Sequence, residues 1–448
     1  MRQMNKLGMK KPLAGERNWD KYIYLIMLIA LAERLIMFFY MGSGTLSHSD
    51  DVAYLQSGIV FANTGLISVW SDRPTATIMP GMPVVTGIMY SIFGEGPAYI
   101  DSMRILWIIL GSISPYVLYR ISLFFLPAPY ALLAAAGFLL PQWSWSDNAV
   151  LTESPYMLFF LLCMYFVFCM GEENGEKNKK NIVGFVLSFM AALMIRANIL
   201  LFLVFAVAYL VILKKKTLKQ LLIPAAALAL TMLIFVIPWS IRNYRIFDRF
   251  IPITAGTANP GLKGTYQGEG APSDESLDYE TNVYAPIREK YADYYNEDGT
   301  LKNENYMENI NLDTDRLQKE YRLREWFKSD PFDLFWSYFV SKPACMINWV
   351  WFWLPLENVY KLCRLLSQVN MVLCIVSVVL SLIMKKKRAI TLFLAITYSV
   401  NLYIIAMSFA SERYAAMFLP YRYMLAAVAI YLMVQLFSKL RNKKALHA

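Results

Sequence analysis

Histidine is nearly missing from this 448-residue chain. His48 and His447 are the only two, which excludes a multi-histidine metal centre, and His48 reads as a polar loop residue. Cysteine is scarce as well. Cys163, Cys169, Cys345, Cys363 and Cys374 lie in or beside apolar segments without ligand spacing, so they read as buried thiols. Charged residues make up only 17% of the chain, where a soluble domain of this size carries about a quarter. No Asn-x-Ser/Thr sequon occurs, which fits a bacterial plasma membrane. The apolar windows show neither strand alternation nor an internal repeat. What is plentiful is apolar surface: 57% of residues are hydrophobic and the mean hydropathy is +0.39. Several windows approach ~20 residues with almost no charge, the length that crosses a hydrocarbon core as a helix. The expected fold class is an all-α polytopic membrane protein.

The positive residues set a topology. They cluster at the N-terminus (Arg2, Lys6, Lys10, Lys11, Arg17, Lys21) and at Arg120. Further clusters are Lys177/Lys179/Lys180, Lys214-Lys215-Lys216 with Lys219, Lys385-Lys386-Lys387-Arg388, and Lys439/Arg441/Lys443/Lys444. Such clusters beside short loops stay cytoplasmic. The first apolar run, 22–41, ends without a small-residue cleavage site and reads as an uncleaved anchor. Placing every cluster inside gives about ten spans: 22–41, 103–125, 130–145, 154–170, 182–195, 198–213, 221–239, 362–384, 390–409 and 418–437. Both termini are then cytoplasmic. The segment 78–93, about 15 residues with Pro80, Gly81 and Pro83, is short for a crossing and suits a re-entrant or interfacial helix.

Residues 242–335 form the one large polar region, with 18 acidic and 12 basic residues, so the rest of the chain carries +16. That asymmetry is a membrane signature and excludes a nucleic-acid footprint. A helix is expected over 312–326. The apolar stretch 336–354, interrupted by Lys342-Pro343, reads as interfacial, with Trp349, Trp351 and Trp353 at headgroup depth.

On this topology several ionisable residues share the outer face. Asp50 and Asp51 lie in the first outer loop, and Asp147 and Glu153 flank the second outer turn. Arg196 lies between two short spans, Arg242 and Arg245 end another, and Glu412-Arg413-Tyr414 follows the penultimate one. Carboxylates gathered with arginines suit an anionic lipid headgroup with an acid or base beside it. Plainer roles exist for each. Asp50, Asp51 or Glu153 can cap a helix, and Arg242, Arg245 and Arg249 can anchor at the interface. Arg196 within an apolar stretch calls for a buried partner or a function.

These motifs resemble the membrane glycosyltransferases of the GT-C fold, family 39, which include protein O-mannosyltransferases and the aminoarabinose transferases that modify lipid A. The similar features are Asp50-Asp51-Val52-Ala53-Tyr54, Gly65, Pro80-Gly81-Met82-Pro83 and Phe93-Gly94. Further along come Thr152-Glu153, Pro238-Trp239-Ser240-Ile241-Arg242-Asn243-Tyr244, Phe250-Ile251-Pro252-Ile253-Thr254, and Glu412-Arg413-Tyr414 before Pro420. The chain departs from the family in having Asp50-Asp51 for Asp-Glu and Arg196-Ala197 for Arg-Pro, and residues 256–335 have little that matches.

The resemblance implies a GT-C-like bundle with outer juxtamembrane helices and a polyprenyl-phosphate-linked sugar as donor. The organisation would be a cytoplasmic tail 1–21, a core 22–241 with the catalytic outer loop 42–102, an outer polar region with an interfacial helix 242–361, C-terminal spans 362–438 and a tail 439–448. Asp50 would be the base, with inversion at the sugar carbon. Asp51 or Glu153 would position the acceptor or raise the basicity of Asp50. Arg196, Arg242 and Arg413 would hold the leaving phosphate, and Tyr54, Asp147 and Tyr414 would position donor or acceptor. Oxygen ligands from Asp50, Asp147 and Glu153 suit Mg²⁺ or Mn²⁺, and metal use stays open. The acceptor is a glycan, a lipid or a protein, so protein O-glycosylation or oligosaccharide transfer is the rival enzyme reading. A transporter or lipid flippase is the rival from another class, disfavoured by the missing repeat and by charges at the span ends.

Overall fold

The computed structural model describes residues 19–256, 258–348 and 350–445. Arg2, Lys6, Lys10, Lys11, Arg17, Trp349 and His447 lie outside the described residues. Helix α1 (Asp20–Met41) leads into a first loop that carries α2 (Asp50–Thr64) and α3 (Gly81–Phe93). There follow α4 (Pro97–Ser122), α5 (Ala128–Ala136), α6 (Pro141–Ser146), α7 (Glu153–Gly171), α8 (Lys179–Ile195), α9 (Phe202–Ala208) and α10 (Leu218–Phe247). The polar region folds as α11 (Ala258–Lys263), α12 (Ala285–Lys290), α13 (Tyr306–Ser329), α14 (Pro331–Trp336) and α15 (Lys342–Asn348). Helices α16 (Glu357–Met384), α17 (Arg388–Ala406), α18 (Glu412–Ala416) and α19 (Leu419–Ala445) complete the chain. Among the described residues the β-structure amounts to two isolated bridges.

Among the described residues, seven helices are long and apolar enough to cross a membrane: α1, α4, α7, α10, α16, α17 and residues Leu419–Asn442 of α19. The chain is a multi-pass membrane protein. In α7 and α4, 72% and 61% of the apolar window is buried, against 17% in α1 and α10. Helices α4 and α7 are therefore the centre of the bundle, while α1 and α10 are its rim. The outward residues of α10, such as Leu222, Ile223 and Ile234, form a surface that needs a hydrocarbon solvent.

The three other expected spans are shorter: α8, over the expected 182–195, has 17 residues, and two more are apolar helical stretches below 18 residues. Segment 130–145 is not one helix: α5 stops at Ala136, a 3₁₀ turn covers Gly137–Leu139, and Pro141 opens α6. Segment 198–213 is one continuous apolar helical stretch, Ala197–Leu213, whose winding tightens at its start and widens over Tyr209–Leu213. By length and composition alone, seven helices qualify and these shorter apolar stretches fall below that length.

Helix α3 has only 13 residues and packs on α2. The two helices touch closely at Gly58, where a Cβ would lie 2.5 Å from the hydroxyls of Thr86 and Tyr99. Those hydroxyls donate to the carbonyls of Tyr54 and Leu55 at 3.1 and 3.0 Å. The contact fixes the helix that carries Asp50.

The polar region has its own buried centre. Helix α13 is longer than the 312–326 expected from sequence. Its Arg322 is fully buried and donates to Asp274, Thr265 and the Pro272 carbonyl. Trp351 is a buried residue of this side of the fold. It is 3% exposed and meets Trp145 edge-on at 4.9 Å, so it packs against protein, while Trp353 is 44% exposed. The five cysteines are free thiols, three of them buried.

Candidate functional site

The adjacent carboxylates at the start of α2 point to different partners. Asp51 is 1% exposed and turns back on its own loop, accepting the backbone N–H groups of Ser47, Ser49 and Val52. This is the capping role open to an acid at a helix start. The Asp50 side chain remains 38% exposed and reaches across the fold to Arg413, whose Nη1 donates to its Oδ2 at 2.6 Å.

Arg413 lies in α18, a short helix whose start is held by the Ser411 hydroxyl. Its Nε donates to Glu153 Oε1 at 2.8 Å and its Nη2 to Oε2 at 3.4 Å. Glu153 is the first residue of α7, where the helix dipole favours an anion, and its side chain is 1% exposed. Arg196 approaches the same carboxylate from the break after α8, with Nη1 at 2.5 Å from Oε1 and 2.8 Å from the Thr152 hydroxyl. The Arg196 guanidinium also sits over the Tyr414 ring at 5.2 Å.

Asp50, Arg413, Glu153 and Arg196 thus form one continuous chain of alternating charge, two acids against two bases. A buried carboxylate between two arginines is stable only because both hold it. Burial works against the charge of Arg413, but Glu153 and Asp50 outweigh that and hold its guanidinium above the usual range. Tyr54, one turn after Asp50, feels the same groups. Burial pushes its phenol up to about 12, with Arg413 pulling back and Asp50 adding to the rise. It is a neutral hydroxyl at neutral pH.

Three expected members stand apart from this chain. Asp51 is engaged by backbone, as above. Asp147 pairs with Arg34 of α1 at 2.6 Å and accepts from the Ser154 hydroxyl, with Arg34 and Asp147 both almost wholly buried. Gly111 of α4 makes this pair possible, because a Cβ there would lie 1.9 Å from Asp147 Oδ2. Arg242 donates to the carbonyls of Thr75 at 2.7 Å and Ile67 at 3.3 Å. Glu308 binds the same stretch through the Ala76 N–H and the Thr75 hydroxyl. Arg242 therefore fastens the loop between α2 and α3 to α10.

A cation held by Asp50, Asp147 and Glu153 does not fit this arrangement. Each of the three is matched to an arginine, and among the described residues no three His, Cys, Asp or Glu side chains converge. Sequence reasoning missed Arg34 and Arg104, both 0% exposed. Arg104 holds the end of α1 through the Gly42 carbonyl at 2.6 Å and the Phe38 carbonyl at 3.3 Å, and pairs with Asp101 of its own helix at 3.1 Å. The available signal was a charge inside an otherwise apolar run, which needs a partner.

A family model described as dolichyl-phosphate-mannose-protein mannosyltransferase matches residues 72–241. That stretch contains Glu153 and Arg196 but neither Asp50 nor Arg413. No curated protein matches the chain. Among solved structures, the apo oligosaccharyltransferase of Archaeoglobus fulgidus is similar with a TM-score of 0.52 at 16% identity, over 96% of this chain and 52% of that one. AglB from the same organism, in complex with an inhibitory peptide and a dolichol-phosphate, gives 0.51 at 15% identity over 95% and 51%. This chain spans about half the length of these archaeal proteins. ArnT from Cupriavidus metallidurans bound to undecaprenyl phosphate aligns over 91% of this chain and 77% of that one, at 14% identity and a TM-score of 0.42. The likeness to the archaeal oligosaccharyltransferase shows a shared GT-C fold.

Proposed function

We propose that this chain is a membrane glycosyltransferase that moves a sugar from a polyprenyl-phosphate donor to an acceptor hydroxyl on the outer face of the plasma membrane. One observation carries the reading. Asp50 is the exposed end of a charge chain that is otherwise buried, so a single carboxylate is presented to a substrate while its neighbours are locked. The matched family description and the dolichol-phosphate bound by AglB support a lipid-phosphate donor.

The chemistry follows from that arrangement. Arg413 holds the Asp50 carboxylate in place at the open end of the chain, and Glu153 tempers the field of Arg413 and Arg196. The acceptor hydroxyl gives its proton to Asp50, and its oxygen bonds to the anomeric carbon from the face opposite the phosphate. The carbon–oxygen bond to the phosphate breaks and its electron pair leaves on the lipid phosphate, so the configuration inverts. Arg196 uses Nη1 for Glu153 and Thr152. Its remaining N–H groups suit the leaving phosphate, for which arginine geometry is apt. Tyr54 and Tyr414 flank the chain and position donor or acceptor. Asp51, Asp147 and Arg242 act through the scaffold, and no step is routed through a metal.

The test is mass spectrometry of envelope lipids, glycans and proteins from cells with and without the chain. Loss of one sugar from one acceptor class supports transfer and names the acceptor as glycan, lipid or protein. An unchanged profile under conditions where the chain is present in the membrane contradicts it.

A further inference from the structure

The end of the bundle opposite Asp50 holds a feature that this chemistry does not use. Glu153 opens α7, and Phe168 lies fifteen residues further along it, roughly 22 Å away at ~1.5 Å per residue. Beside Phe168 is a cavity of about 730 Å³, within the ~300–1,000 Å³ typical of small-molecule sites. Its floor is apolar, built on Phe125, Phe168 and Tyr209. Phe168 and Tyr209 stack at 4.2 Å with an interplanar angle of 18°, which gives the floor a fixed wall. Its rim is cationic: Lys214 closes one side, and Lys385, Lys387 and Arg388 close the other.

Lys214 and Lys387 are engaged within the protein. Lys214 shares Glu172 at 2.9 Å. Lys387 lies 6.0 Å from the Tyr431 ring. Lys385 and Arg388 are exposed, and among the described residues no carboxylate pairs with either. The turn between α16 and α17 adds an independent sign. Lys385 and Lys387 have φ of 53° and 55°, the left-handed region that glycine or asparagine adopts more easily. The turn thus holds lysines where the backbone favours other residues. Orientation in the membrane needs only positive charge near the bilayer; it needs neither those two positions nor a cavity behind them.

We propose that this groove binds an anionic phospholipid of the adjacent leaflet, with its phosphate against Lys385 and Arg388 and an acyl chain along Phe125, Phe168 and Tyr209. A basic pocket between helices at one membrane face, with an apolar floor, matches both halves of such a lipid. The site is separate from the outer-face donor site and does not depend on it.

The experiment uses the purified full-length chain in detergent, titrated with phosphatidylglycerol or phosphatidylcholine, with retained lipid counted by native mass spectrometry. Phosphatidylglycerol should be retained in preference. The double variant Lys385→Asn/Arg388→Gln, in which asparagine keeps the left-handed turn, should weaken retention roughly ten- to thirtyfold. Leu392→Trp, which narrows the cavity and leaves every charge, should weaken it too. Lys439→Gln/Arg441→Gln removes two exposed cations at the same end of the bundle and should leave retention unchanged. Equal retention of the two lipids overturns the proposal. So does an equal loss in the Lys439/Arg441 variant, or full retention in both groove variants, since these describe diffuse surface attraction.

Discussion

Two charged clusters flank one turn of this protein and behave differently. On one side Asp147 meets Arg34, and both side chains are sealed, at 2% and 0% exposure. On the other side Glu153 is equally sealed but passes its charge through Arg413 to Asp50, which is 38% exposed. Both clusters contain buried acids and arginines, so burial of charge does not by itself mark a functional site. The difference is whether the chain of partners ends inside the protein or reaches a surface. A closed pair fixes how helices pack; an open chain presents one group to a substrate while the rest hold it in place.

The largest expected effect separates these roles. Asp50→Asn should lower sugar transfer by about 10²–10⁴-fold, the usual range for a general base. Expression and thermal midpoint should stay at the wild-type level, because the side chain is at the open end. Radiolabelled sugar transfer in membrane preparations, normalised to protein amount, reads this directly. Asp147→Asn should do the reverse. It leaves Arg34 buried without its counter-ion, which costs about 3–5 kcal/mol of stability, while transfer per folded molecule is unchanged. The double variant Arg34→Met/Asp147→Leu should recover most of that stability. If the double variant is as unstable as the single one, the pair is not the source of the loss.

How much of this was legible in the sequence depended on the kind of partner each residue has. Asp50, Glu153, Arg196 and Arg413 stand out because charge beside apolar spans is costly, and the structure brings these four together. Asp147 looked similar, but its partner lies 113 residues earlier inside the first span, and no local pattern links them. The partners of Arg242 are backbone carbonyls of a distant loop, which side-chain chemistry does not reveal. The same limit applies to the fold. Long apolar runs identify seven crossing helices, whereas the break after Ala136 depends on how Gly137 and Pro141 pack.

Smaller effects sharpen the comparison within α2. Asp51→Ala strands the backbone N–H groups of Ser47 and Ser49, a loss of about 1–3 kcal/mol of local stability. Hydrogen exchange should rise over residues 47–52, and transfer should fall far less than in Asp50→Asn. Unchanged exchange there would remove Asp51 from the scaffold. Tyr54→Phe should have the smallest effect. The Tyr54 phenol is held up at about 12, so folding favours its neutral form. The stability linked to it is full below about pH 10 and is lost as pH rises through the folded value. The wild-type rate–pH profile from about pH 7 to about pH 10 should keep its shape in Tyr54→Phe. A new alkaline limb in the variant would mean that the phenol takes part in proton transfer.

The most direct measurement compares the two clusters in one experiment. Cells lacking the chain are complemented with wild type, Asp50→Asn or Asp147→Asn at matched membrane levels, and the envelope sugar is quantified by mass spectrometry. The open-chain account predicts that Asp50→Asn restores none of the sugar and that Asp147→Asn restores it in proportion to the protein present. Full restoration by Asp50→Asn would contradict it.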